Sequence, residues 1–377
     1  MSMLRDVPGI VTAAELGATV DAIASIQLTD GNIPWFPGGH TDPWNLVEAA
    51  MALDVGGRHE EARAAYEWLC GRQRADGSWH AYYLGNDVED PTLDTNVTCY
   101  IATGAWHHYL STDDAAYLRH QWPVVEAAID YALGHQRETG EIAWRGDDPA
   151  DGALLTGSSS IHLSLKCAIA IAERLDHERP DWELSLGALC VAIAHRPDRF
   201  LDKDRWAMDW YYPILGGVLR GHPAQARVVS GWPKFVVESR GVRCVSDRPW
   251  ITAAETCEFV MALDAIGNDE HARMLFESVQ FLRSETGGYW TGANFDDDQF
   301  QLEGEHYPEE QPTWNSAAVV LAADALCAEG PRAGLFRGER LPEGLTAVEL
   351  LAAGVEIERE RELRSAERIA RRPVRRE

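Results

Sequence analysis

The sequence predicts an all-α chain closed into an (α/α)6 toroid, a ring of six helical hairpins. Three observations predict it: helical periodicity dominates, strand-like alternation is nearly absent, and a turn motif recurs at hairpin-sized intervals. The periodic stretches are 44–53 (WNLVEAAMAL), 124–133 (VVEAAIDYAL), 161–175 (IHLSLKCAIAIAERL), 252–266 (TAAETCEFVMALDAI) and 317–326 (AAVVLAADAL). Each places apolar residues three and four apart with Ala-rich faces, the pattern of closely packed amphipathic helices. Paired glycines punctuate the chain at Gly38-Gly39, Gly56-Gly57, Gly216-Gly217 and Gly287-Gly288.

The recurring motif is Gln or Arg, then Asp-Gly or Thr-Gly, then an aromatic residue or Ile. Its instances begin at Gln27, Gln73, Gln136 and Arg283, spaced by 46, 63 and 147 residues. The last interval has room for two degenerate copies. Asp-Gly or Thr-Gly supplies the left-handed turn that stops a helix. The aromatic or Ile side chain then plugs the gap to the next hairpin. Closing six such hairpins gives each one two neighbours, so no capping repeat is needed. The toroid is expected to span 1–335. Residues 336–377 form a charged tail with ten Arg and nine Glu, expected to be helical and suited to contact with another subunit.

The 377 residues carry a formal charge of -26. That charge argues against nucleic acid and against anionic membranes, since both are recognised by neutralising phosphate. The N-terminus shows no signal-peptide pattern, and no run of 18 apolar residues occurs. The seven cysteines are scattered without a CxxC pair, as in a reduced, cytoplasmic protein with core thiols. No phosphate loop, GxGxxG or GxSxG is present. No metal or organic cofactor is expected.

Function in such a ring belongs in the polar, aromatic loops that join helices. The loop before residue 44 delivers Trp35, His40, Asp42 and Trp44 to a helix start. Asp42, followed by Pro43, is also a good helix cap. Asp94 and Asn96 open another helix. Asp209 sits among Trp206, Trp210, Tyr211 and Tyr212, which suits stacking and hydrogen bonding to a polyol. Arg248, Trp250, Glu255 and Glu258 follow a Val-Ser-Asp turn, with the two glutamates on one helical face. The segment 290–314 reads as a long acidic and aromatic loop of the kind that forms lids, and its Asp run at 296–298 reads as solvated rather than metal-binding.

The Gln-x-x-(Asp/Thr)-Gly turns resemble those of squalene-cyclase and protein-prenyltransferase toroids. The DxDD run of a protonating cyclase and the zinc ligands of a prenyltransferase are both missing. Residues 94–131 and 209–217 resemble glucoamylase-type barrels. Where those enzymes place Trp-Glu, this chain reads Trp144-Arg145, which argues against glucoamylase activity. A longer resemblance runs from residue 1 to about 326. The blocks Leu4-Arg-Asp-Val-Pro-Gly, Ile33-Pro-Trp-Phe-Pro-Gly-Gly-His-Thr-Asp-Pro-Trp, Met208-Asp-Trp-Tyr-Tyr-Pro and Val245-Ser-Asp-Arg-Pro-Trp resemble the actinobacterial endo-mannosidases that act on methylmannose polysaccharide. That resemblance implies cleavage of internal α-(1→4) bonds between mannose or 6-O-methylmannose units. It implies a catalytic pair at Asp42 and Glu255, with Glu48 and Glu258 as the alternatives. An inverting mechanism would set the two carboxylates about 6.5–9.5 Å apart. Glu255 is the expected acid and Asp42 the expected base. Two rival readings are an isoprenoid cyclase or transferase, and a non-catalytic oligosaccharide binder.

Overall fold

The computed structural model describes residues 4–295, 302–306, 308–327 and 329–344. Among these described residues, six helices form an inner ring: α2 (Pro43–Val55), α5 (Ile101–Thr112, preceded by the short α4, Thr95–Cys99), α7 (Leu155–Arg174), α9 (Ala207–Leu215), α11 (Ala253–Asp264) and α13 (Thr313–Cys327). Each packs on the next, and α13 packs back on α2, so the ring closes. Outside it lie α1 (Ala13–Ile26), α3 (His59–Cys70), α6 (Ala115–Leu133), α8 (Pro180–His195), α10 (Gly221–Phe235) and α12 (Asp269–Ser278), each against its inner partner. The inner helices are Ala-rich because they meet neighbours on nearly every side. In α2 every residue from Leu46 to Val55 is buried. The outer helices α3 and α12 bury one side, at Ala62, Ala65, Tyr66, Trp68 and Leu69 in the first and Ala272, Leu275 and Phe276 in the second.

The recurring turn is a joint between hairpins. Gln27 Nε2 donates to Gly31 O at 3.0 Å and to Glu61 O of α3 at 2.8 Å. Gln73 repeats this with Gly77 O and Val124 O of α6. Gln136 repeats it with Gly140 O and Ser185 O of α8. Each turn glycine has positive φ and lies against the backbone of the next outer helix. A Cβ on Gly77 would stand 2.2 Å from Ala127 O, so glycine is required twice over. The fourth copy closes the ring: Gly287 meets Ala18 of α1, and Arg283 Nη2 donates to Glu15 O at 3.2 Å. The plugs Ile33, Trp79, Ile142 and Tyr289 are all buried.

The structure adds sheet that the sequence does not announce. One hairpin pairs β1 (Tyr82–Leu84) with β2 (Asp87–Asp90). A five-stranded antiparallel sheet runs β3 (Val236–Val237), β4 (Gly241–Arg243), β5 (Trp250–Thr252), β6 (Gly292–Phe295) and β7 (Leu302–His306) in order. The segment expected to be a lid loop therefore contains two paired strands; its Asp run at 296–298 lies outside the described residues. Strands this short hold few alternating positions, so their period is lost beside the helical signal. Of the expected charged tail, residues 345–377 also lie outside the described residues. Phe336 is buried in the core, and Arg337 pairs with Asp264 of α11 at 2.8 Å.

Candidate active site

The loops that lead from outer to inner helices gather at one end of the ring, around a cavity of ≈450 Å³. A second chamber of ≈350 Å³ adjoins it, and the two share Trp44, Asp94, Trp144 and Met208 as walls. Between them the two cavities are lined by first-turn residues of all six inner-ring positions, from Trp44 of α2 to Trp314 of α13. Helix N-termini carry partial positive charge. Their convergence suits a site rich in carboxylates, and Asp42, Glu48, Asp94, Glu255 and Glu258 all line the main cavity.

Asp42 caps α2, accepting from Asn45 N at 2.9 Å. Its Oδ2 accepts from Trp35 Nε1 and from Asn45 Nδ2, both at 2.7 Å. Burial pushes its carboxyl up, and these three N–H donors oppose the shift. The preceding loop is held by Thr41, whose backbone pairs with Tyr83 and whose Oγ1 donates to Asn32 Oδ1 at 2.7 Å. Glu255 lies in the first turn of α11, directly after β5, and receives the Thr252 hydroxyl. The strand thus fixes where the helix starts, and the helix sets where Glu255 stands.

Two further glutamates are buried at the floor. Tyr211 and Tyr212 donate to the two oxygens of Glu258, the latter at 2.6 Å. Burial pushes Glu258 up to about 7. Glu48 accepts from Trp44 Nε1 at 3.0 Å and Tyr100 OH at 3.3 Å. Burial and the charge of Glu258 push it well above the carboxylate range. Asp94 caps α4 through Val97 N at 2.9 Å and is pushed up to about 6 by burial. Asp209 borders the second chamber and accepts from Thr156 Oγ1 at 2.5 Å, with burial raising its carboxyl.

Of the residues singled out in the sequence, Asp42, Glu255, Trp35, Trp44, Asp94 and Glu258 line the main cavity, while Asn96 and Asp209 line the second chamber. His40 stands behind Trp35, 4.4 Å between rings, and 3.2 Å from Glu89. His40 and four other expected ligand contacts do not border either cavity. Trp210 is turned into the core, stacked on Phe235 and donating to Arg227 O at 2.7 Å. Tyr211 is fully buried beneath the floor. Arg248 lies exposed in the turn between β4 and β5, and Trp250 lies on β5; neither borders the two cavities. Among the cavity residues not singled out are Tyr82, Trp144, Lys203, Met208 and Trp314, while the expected aromatic Trp206 borders the second chamber. Trp144 had a signal: it follows its turn glycine by four residues, as Trp35 follows Gly31, with the buried plug midway in each case.

No protein-family model matches the chain. It is 49% identical over 352 residues, 91% of this chain and 96% of the other, to the MMP endo-(1,4)-3-O-methyl-alpha-D-mannosidase of Mycolicibacterium hassiacum. The chain belongs to that endo-mannosidase family. It is a glycoside hydrolase, and the isoprenoid and pure-binding readings give way. The name of that relative carries a methyl group on O3, where the sequence resemblance implied O6. Solved structures share the toroid. A protein described as "Glycosidase Wild Type" aligns with TM-score 0.64 at 14% identity, over 83% of this chain and 97% of that one. The GH63 mannosylglycerate hydrolase of Thermus thermophilus aligns with TM-score 0.64 at 11% identity, over 81% and 99%. A rhamnosidase from Klebsiella oxytoca aligns with TM-score 0.56 at 17% identity, over 83% and 64%. Among the described residues of this mannosidase-family chain, no helix is long and apolar enough to cross a membrane.

Proposed function

We propose that this protein hydrolyses internal α-(1→4) bonds between 3-O-methylmannose units of a methylated mannan. The observation that carries the reading is one cavity lined both by Asp42 and Glu255, far apart in the chain, and by the indoles of Trp35, Trp44 and Trp314. Indole faces suit sugar rings, and two carboxylates suit acid–base hydrolysis.

In the mechanism we infer, Glu255 protonates the leaving glycosidic oxygen. The Thr252 hydroxyl can donate to its carboxylate or accept from its carboxylic acid, so both states keep a partner. Asp42 takes a proton from water. Its three N–H donors favour the ionised form that a base requires. Asp94, Asn96 and Asp209 bind sugar hydroxyls, and no metal or cofactor takes part. The seven free thiols suit a cytoplasmic setting.

The test uses purified protein and α-(1→4)-linked oligomannosides, methylated on O3 and not, with products read by mass and by proton NMR. Shorter internal products whose new reducing end appears first as the β-anomer are expected. Asp42→Asn keeps the helix cap and Glu255→Gln keeps the volume, and each should lower kcat about 10³-fold or more. Full activity in either variant would move that role to Glu48 or Glu258. An α-anomer as first product would replace inversion with a covalent intermediate.

A further inference from the structure

The chamber beside the carboxylates has a lining that acid–base hydrolysis does not use. Ile142, Leu154 and Ile161 give it an aliphatic wall, and the first and last of these are buried. Trp144 and Met208 join that wall to the main cavity, and Trp206, 41% exposed, borders it on the solvent side. Two lining residues, Asn96 and Ser158, are at least nine-tenths buried, and neither Asn96 Oδ1 nor Ser158 Oγ has a hydrogen-bond partner among the described residues. A chamber with an aliphatic wall, two unused polar atoms, and Asp94, Asp209 and Lys203 on its remaining lining fits a ligand that is part apolar and part polar.

We infer that this chamber is a subsite for the O-methyl group of a methylated mannose, an assignment that rests on the hydrolase reading above. A free hydroxyl turned onto Ile142 and Ile161, away from Asp94, Asn96 and Asp209, would lose its hydrogen bond to water and gain none. A methyl ether has no O–H to satisfy and presents a methyl to that wall. The Ser158 hydroxyl donates to the ether oxygen, and Asn96 Oδ1 accepts from a neighbouring sugar hydroxyl. The chamber thereby ranks methylated over bare mannose next to the bond that Asp42 and Glu255 act on.

Gly157 offers a clean way to fill the chamber. It borders the cavity in the first turn of α7, and an added Cβ would meet only Asn96 Cβ at 3.5 Å and Leu154 Cβ at 3.7 Å. Those are ordinary contacts, and alanine favours the helix over glycine, so Gly157→Ala should fold. The measurement is the ratio of kcat/KM for a 3-O-methylated α-(1→4)-oligomannoside to that for its unmethylated counterpart. Wild type is expected to favour the methylated chain, and Gly157→Ala to lower the ratio about tenfold or more, the usual effect of one methyl-sized change in an apolar pocket. An equal ratio in wild type and variant, with hydrolysis intact, overturns the subsite and leaves the hydrolase reading standing. If wild type cleaves neither chain, the hydrolase reading falls, and saturation-transfer NMR with methyl 3-O-methyl-α-D-mannopyranoside decides the subsite alone. Selective saturation of the O-methyl protons that is lost in Gly157→Ala supports it; uniform saturation of the sugar overturns it.

Discussion

Glu258 shows how much one residue's surroundings alter what its side chain does. Both oxygens receive tyrosine hydroxyls, yet burial still lifts it from 4.5 to about 7. Between those values the folded chain holds a proton that the unfolded chain has released. Stability contributed by that proton is complete below pH 4.5 and is lost as pH rises through about 7. Glu258→Gln stays neutral and still pairs with both tyrosines, whose hydroxyls donate or accept. Its melting temperature should match wild type near pH 4.5 and exceed it by a few degrees above about pH 7. An identical difference at both pH values would mean that Glu258 is ionised throughout. Residues of this kind were only partly legible in the sequence. Asp42 and Asp94 stand out because each opens a helix after a turn. Glu48 is marked only by Trp44, one helical turn before it. Trp210 misled because helix positions differ by about 100° in direction. Asp209 borders the chamber, whereas its neighbour Trp210 faces α10.

At the scale of elements, the repeated Gln–Gly turn does two jobs with one side chain. In the second copy, Gln73 ties Gly77 O within its own turn to Val124 O on α6. Gln73→Ala would leave two half-buried carbonyls without that donor. A loss of about 1–3 kcal/mol is expected in denaturant unfolding, with catalytic constants of the folded fraction little changed. A shift below about 0.5 kcal/mol would show that water replaces the amide fully. The turn was legible because its glycine and its glutamine recur at fixed spacing. The short strands were not: β3, β4 and β5 hold two or three residues each, too few to show a period, and their order depends on partners distant in the chain. Nor could spacing reveal that Glu255 is positioned by the strand running straight into its helix.

The whole molecule is a ring whose last joint differs from the others. Gly287 at φ +93 presses on Ala18 of α1, with Arg283 standing where the other copies have Gln. A Cβ there would come within 2.6 Å of Ala18 O, so Gly287→Ala should destabilise by about 3 kcal/mol. Because closure couples all six hairpins, calorimetry should show one transition moved to lower temperature. Two separated transitions would mean that the hairpins unfold as a linear stack. The ring was readable from helix periodicity and the turn motif, whereas the depth and division of its cavity were not, since Tyr82, Trp144, Trp206 and Trp314 come from four separate segments of the chain. The joints also have a consequence for the loops. Four of the six hairpins are fastened to their neighbours just before their loops begin, so the lengths and side chains of those loops can be rewritten one at a time while the staves of the barrel keep their places. A single ring can in this way carry loops of quite different shape and chemistry.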